Sequence, residues 1–485
     1  MNTPDIDRQH RLRTYLICTI FANSQVRNET FIQFFLSNST CNSGKVCYRA
    51  NVLLYKRKRE KTLFRKKMHS LPFLNLKYSA FLQYYSDERT NQFPEERNNM
   101  PSKNRTLFLT DHCLTPHENI PSSAILCDRD KIIATGGASA FVREPGLEII
   151  ELKGAYAVPG FIDSHVHGAG GFDASRALVN DNSLMNRMSV ELASHGVTTF
   201  FPTLTSAPKA DMIKTTDILA GMIEQEHEGA DPAGIHIEGP FINPEKAGTQ
   251  PRDCVYPFDP VFAAELIAAG RGRIKLMTFA PEIAHADQLI QLMLENGVIP
   301  SMGHSMASEK EVLNAIDAGA RRCTHLFNGM PPLHQRRPDI TLIALTDNRV
   351  SVEIIADGCH VHPRMVELAS RVKPNDKLIG ISNGVQASAE KRVVREDGAV
   401  VTSDGIIAGS ATTLETGWLH FTRYSGMPDT LAAACFTSNP AHDLGLITRG
   451  EIKPGKKADI TFLDVTTNKV RMTVIRGQVV YKAAE

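Results

Sequence analysis

Eight short apolar runs, most of them separated by helix-compatible stretches, constrain this chain more than any other feature. They fall at 160–165, 197–202, 234–238, 274–279, 298–302, 322–327, 351–356 and 378–381. A strand covered on both faces reads as a continuous apolar run, and a helix between successive strands favours parallel pairing. Eight such units predict a (β/α)₈ TIM barrel over 159–445. One helix start is well marked. Ser308 and Glu311 have capping-box spacing, Val312, Ala315 and Ile316 form an apolar stripe, and Gly319 falls where a C-terminal cap belongs.

Both flanks carry a different pattern. Short strand-like runs occupy 106–109, 123–127 and 131–135, and a matching set closes the chain at 458–463, 470–475 and 478–481, with Arg476-Gly477 at a turn. The 485 residues exceed what one core usually supports, so segments 100–158 and 446–485 are expected to pair into a small β-sandwich domain beside the barrel.

Residues 1–99 stand apart. They hold 17 Lys and Arg against 8 Asp and Glu, whereas the remainder holds 37 against 45. The run Lys56-Arg57-Lys58-Arg59 could suit nucleic acid or a nuclear address, yet no recognition fold accompanies it. Arg8, Arg11 and Arg13 before an apolar stretch imitate a signal peptide, but no convincing cleavage site follows. The expectation is a disordered leader or a translated upstream stretch, with Met100 opening the ordered part. Composition elsewhere is ordinary, at 42% hydrophobic and 22% charged, and no apolar run approaches a membrane span. Neither a membrane nor a nucleic-acid partner is expected. Nine scattered cysteines without a C-x-x-C pair fit reduced thiols and a cytoplasmic setting.

Chemistry concentrates at the ends of the predicted barrel strands, the rim that carries the active site in such barrels. The segment Pro159-Gly160-Phe161-Ile162-Asp163-Ser164-His165-Val166-His167-Gly168 puts two histidines at i and i+2, so His165 and His167 can face one metal ion. Taken alone, two strand histidines are as readily satisfied polar residues. Three further strand ends supply Glu238, His304 and His325. Five nitrogen and oxygen donors at four strand ends are hard to explain as coincidence. They predict a centre for one or two divalent ions, zinc or iron, with a carboxylate able to bridge. Arg336 and Arg337 follow in a polar loop, where a guanidinium matches phosphate geometry; for Arg337 a solvated surface role is the better reading.

From about residue 105 onward the sequence resembles the N-acetylglucosamine-6-phosphate deacetylases of the amidohydrolase superfamily. The resemblance rests on the motifs above and on 241–250, Ala280-Pro281-Glu282, Ala356-Asp357-Gly358-Cys359-His360, Ala408-Gly409-Ser410, Asn439-Pro440-Ala441 and the segment 325–338. It implies that Glu238, His304 and His325 hold the main metal, with His165 and His167 able to hold a second. It implies further that His360 orients the substrate or its acetyl carbonyl, and that Arg336 grips the phosphate with help from Asn328 and the Gly329 backbone. Gln250 would add a polar contact there. The implied partner is a small amino-sugar phosphate, the implied reaction is deacetylation by metal-activated water, and the expected assembly is a homodimer.

One position departs from the pattern. After the last strand the chain reads Ser382-Asn383-Gly384 where the family has Thr-Asp-Ala, so Asn383 occupies the place of the catalytic aspartate. An amide neither accepts nor delivers a proton as a carboxylate does. Two expectations follow: a deacetylase with an altered proton path, or a non-catalytic sugar-phosphate-binding protein that retains the metal site.

Overall fold

The computed structural model describes residues 105–484, apart from 117, 144–145, 179–181 and 387–391, and within 1–100 only the strands Leu16–Ile20, Ile32–Thr40 and Val46–Leu54. The chain divides into two units, 1–100 and 101–485. In the first, the three strands form an antiparallel sheet in sequence order, within a stretch that shows no sustained strand periodicity. The basic run at 56–59 lies outside the described residues.

In the second unit eight parallel strands follow one another around a barrel. They are β1 (Phe161–Val166), β2 (Val197–Thr205), β3 (Ile235–Glu238), β4 (Ile274–Phe279), β5 (Ile299–Met302), β6 (Arg322–Cys323), β7 (Ser351–Ile355) and β8 (Leu378–Ile381). Each pairs with the next in order. Their near-complete burial explains why they read as apolar runs. The ring nearly closes between β8 and β1 at the rim, where Asn383 N donates to His165 O at 3.0 Å and His167 N to Gly384 O at 2.8 Å.

The sixth run is shorter than expected. A strand over 322–327 is corrected to Arg322–Cys323, because the backbone turns left-handed at His325 (φ 30°) and Phe327 (φ 79°) and cannot stay extended. The marked helix forms as expected, Glu309–Ala318, with the capping box of Ser308 and Glu311 and with Gly319 at φ 127°.

The flanking strands share one seven-stranded sheet, in the order Gln478–Lys482, Val470–Ile475, Ile460–Asp464, Glu148–Pro159, Arg105–Leu114, Asn119–Asp128, Lys131–Gly137. The sheet curls over its own apolar core: Phe108 and Phe462, two strands apart, have ring centroids 5.2 Å from each other. Ile132 N reaches Lys456 O at 3.0 Å and Ala458 N reaches Asp130 O at 2.8 Å, which joins the far edge to the chain entering from the barrel. Glu148–Pro159 was not anticipated. It is central to the sheet, and only Gly160 separates it from β1, so the small sheet and the first metal-bearing strand are one continuous piece of chain. Among the described residues no helix is long and apolar enough to cross a membrane.

Candidate metal centre

Glu238 is the last residue of β3, and its carboxylate lies between two sets of imidazoles. On one side, His304 Nε2 and His325 Nε2 each stand 3.0 Å from Glu238 Oε1 and 3.1 Å from each other. On the other, His165 Nε2 is 3.5 Å from Oε1 and His167 Nε2 is 3.6 Å from Oε2, with 3.2 Å between the two nitrogens. All five side chains are buried. The expected ligands are thus brought together, and Glu238 is shared by both sets.

The tautomers decide what this arrangement can hold. His165 Nδ1 is 3.0 Å from Glu353 Oε2, His167 Nδ1 is 3.2 Å from Thr203 O, and His304 Nδ1 is 2.6 Å from Lys246 O. Each partner is an acceptor, so each Nδ1 carries the hydrogen and each Nε2 presents a lone pair. Asn383 Oδ1, another acceptor, stands 3.2 Å from His167 Nε2. Lone pairs converging on a buried carboxylate repel one another unless a cation lies among them, so this donor set fits one or two divalent ions.

The electrostatics agree. Burial lowers the proton affinity of His325 and brings His167 to about 4, leaving neutral imidazoles suited to a metal. Burial works against the charge on Glu238, but His165 and the adjoining His304 and His325 rings hold its pKa well below the usual carboxylate range. His165 differs: burial lowers it, yet Glu238 and Glu353 outweigh that and raise it. A proton there answers the same demand for positive charge that a metal ion would meet. Strain is concentrated here as well. His304 (φ 48°), His325 and Asn383 (φ 49°) are left-handed non-glycine residues at about 1–3 kcal/mol each, sustained because the barrel holds the backbone that aims them.

The amidohydrolase family model matches residues 156–480. The chain is 32% identical over 342 residues to the N-acetylglucosamine-6-phosphate deacetylase of Bacillus subtilis, covering 68% of this chain and 85% of that one. It is 28% identical over 377 residues to the N-acetylgalactosamine-6-phosphate deacetylase of Escherichia coli O157:H7, covering 76% and 98%. A Mycobacterium smegmatis N-acetyl-D-glucosamine-6-phosphate deacetylase mutant, solved in complex with N-acetyl-D-glucosamine-6-phosphate, superposes with a TM-score of 0.71 at 29% identity, over 78% of this chain and 99% of that one. The chain belongs to the N-acetylglucosamine-6-phosphate deacetylase family of amidohydrolases.

Within this amidohydrolase the other expected residues divide into two sets. His360 and Asn383 join the centre: His360 Nε2 is 3.5 Å from Asn383 Nδ2. Gln250 is buried, with Oε1 accepting from Ser206 N at 3.0 Å, which leaves its Nε2 as a buried donor without a partner among the described residues. Gly329, at φ 61°, packs against His304, where a Cβ would stand 3.1 Å from Nδ1. Asn328 is half-buried beside His325 O. Arg336 and Arg337 are exposed on the loop and not in the cluster.

Sequence reasoning missed the groups behind the ligands. Glu353 on β7 accepts from His165 Nδ1, from His325 N at 3.1 Å and from Arg322 Nε at 2.9 Å, and Arg322 also reaches Ser164 and Asp443. Glu353 and Arg322 have no exposed surface. Burial would push Glu353 up, but the Arg322 guanidinium and His165 hold it well below the usual range. A signal existed: each is a full charge inside an apolar strand run, and such charges must be paired.

Proposed function

We propose that this protein hydrolyses the acetamido group of N-acetylglucosamine 6-phosphate, giving glucosamine 6-phosphate and acetate. The observation that carries the reading is the convergence of two buried ligand sets on Glu238, in a chain whose relatives at 28–32% identity are amino-sugar-phosphate deacetylases. Glu238, His304 and His325 would hold the main ion, zinc or iron, and His165 and His167 a second. A divalent ion held there polarises a carbonyl and makes water available as a nucleophile near neutral pH.

The chain's own groups supply the remainder. Arg336 would form a charge-assisted contact to the phosphate, with Asn328 and the Gly329 backbone beside it. The unpartnered Gln250 Nε2 suits an oxygen of the sugar phosphate. His360 would contact the acetamido group from the Asn383 side. Cys113, Cys127, Cys254, Cys323, Cys359 and Cys435 are unpaired, which fits a reducing compartment such as the cytoplasm.

Asn383 alone favours a second reading, a sugar-phosphate binder without turnover. Acetate release from N-acetylglucosamine 6-phosphate by zinc- or iron-loaded protein separates the two. Sustained multiple turnovers support the enzyme. Tight binding of the sugar phosphate with no acetate after hours would sink it.

A further inference from the structure

Amide hydrolysis needs a proton moved from water to the departing amine, because an amide anion is too poor a leaving group to depart unprotonated. Asn383 cannot do this. Glu238 is committed to the ligand sets on both its sides. His236, though buried beside His165, has both ring nitrogens engaged, at 3.3 Å from Thr203 Oγ1 and 2.8 Å from Thr278 Oγ1.

His360 is differently placed. Its Nδ1 is 2.6 Å from Asp357 Oδ2, and the other oxygen of that carboxylate accepts the backbone N–H groups of Cys359 and His360, each at 2.9 Å. The side chains of both residues are nearly inaccessible, at 6% and 2% exposure. Burial pushes Asp357 up, but the hydrogen bond from His360 and those backbone donors hold it at about 2, so it stays a carboxylate. A carboxylate on Nδ1 fixes the hydrogen there and leaves the Nε2 lone pair free. That lone pair points to Asn383 Nδ2 at 3.5 Å, while Asn383 Oδ1 faces the metal ligands. The amide therefore acts as a spacer between the ligand set and an oriented base.

We propose that His360, held by Asp357, is the proton carrier of the deacetylation, in the role that a carboxylate at position 383 would otherwise fill. This rests on the deacetylase reading above. As the water oxygen bonds to the acetyl carbon, its proton passes to His360 Nε2 and the carbonyl π pair moves onto oxygen. That pair then re-forms C=O, the C–N bond pair leaves with nitrogen, and nitrogen takes the proton from Nε2. The acetic acid formed loses its proton to solvent.

The test uses full-length, metal-loaded protein as wild type, His360→Gln, Asn383→Asp and the double variant. Intact mass must verify Asn383, since an Asn-Gly pair deamidates readily. His360→Gln should lower kcat for acetate release by about 10²- to 10⁴-fold, with metal content and calorimetric affinity for glucosamine 6-phosphate kept within about threefold. Adding Asn383→Asp to that variant should restore at least about tenfold. The proposal is overturned by a His360→Gln kcat within about tenfold of wild type, by a loss confined to affinity, or by no recovery in the double variant. It is also overturned, with the deacetylase reading intact, if wild type is inert and Asn383→Asp is active. Wild type and Asn383→Asp both inert while loaded with metal would instead overturn the deacetylase reading itself, and this proposal with it.

Discussion

Glu353 Oε2 lies 3.0 Å from His165 Nδ1, so the orientation of one metal ligand on β1 is set by a carboxylate on β7, 188 residues away in sequence. The other oxygen of Glu353 takes Arg322 Nε, which places a positive charge behind the carboxylate and keeps it ionised. The ligand's tautomer is thus fixed by a buried ion pair.

Removing that carboxylate has two separable consequences. Glu353→Gln leaves Arg322 with the half-buried Asp443 as its remaining counter-charge, at about 3 kcal/mol by the usual cost of breaking a buried pair, and it releases the tautomer of His165. Metal affinity should fall about 10- to 100-fold, as for other partners of metal-bound histidines. Competitive chelation measures the second effect and thermal melting the first. Wild-type metal affinity in Glu353→Gln would show that the tautomer is set by something else.

The shared carboxylate makes a sharper prediction. Because Glu238 belongs to both ligand sets, Glu238→Gln should empty both, whereas His304→Ala should affect only the set it shares with His325. Elemental analysis after gel filtration in chelator-free buffer distinguishes the variants. Adding excess zinc should raise the melting temperature of the wild type and leave Glu238→Gln nearly unmoved, since an ion stabilises only the state that binds it. Equal metal contents in the two variants would refute the bridging role.

Sequence pattern revealed the barrel because strands buried on both faces leave continuous apolar runs, and β4 and β8 fall at the positions read from them. It revealed the ligands because five donors stood at strand ends. It did not reveal Glu148–Pro159, whose first half is largely exposed and whose second half is buried, so that no single period runs through it. Nor did it show where β6 stops, since the left-handed turn at His325 is imposed by long-range partners such as Glu353, which accepts the His325 N–H. The ion pair of Arg322 with Glu353 joins two strands across 31 residues, and the Asp357–His360 pair acquires meaning only once Asn383 is seen beside it.

A pH dependence follows from His195, which ties the chain after helix Asn182–Ser194 to helix Leu414–Ser425. Its Nδ1 is 2.9 Å from Glu415 Oε1 and its Nε2 3.4 Å from Glu191 Oε1. The hydrogen bond to Glu415 raises its pKa above 6.5, with Glu191 assisting against burial. A raised folded-state pKa gives stability that is complete below the unfolded value of 6.5 and lost as pH climbs through the folded one. His195→Gln should therefore lower the melting temperature more at pH 6 than at pH 9, by a difference worth less than about 1 kcal/mol for a partly exposed pair. Equal losses at both pH values would show that the contact works through packing alone.

The remaining prediction concerns Arg336, which reaches into solvent from the loop after β6, with its backbone N donating to His334 Nδ1 at 3.2 Å. An exposed guanidinium contributes little to folding, so Arg336→Ala should leave the melting temperature and metal content unchanged. Its effect should appear only with a phosphorylated ligand, because the gain comes from exchanging hydration for a charge-assisted contact to an anion. Calorimetric affinity for glucosamine 6-phosphate should fall by about tenfold to a hundredfold, while the much weaker affinity for unphosphorylated glucosamine stays within about twofold. Arg336→Lys should recover part of the loss, since an ammonium keeps the charge but not the planar fork that matches two phosphate oxygens. Neighbouring Arg337 supplies the control: it is equally exposed and equally charged, so Arg337→Ala reports what removing one positive charge from this loop does without removing the contact. Similar losses in the two variants would reduce Arg336 to one part of a diffuse positive field. A loss confined to Arg336→Ala, steep in the phosphorylated sugar and flat in the other, is the signature of a residue that reads the phosphate.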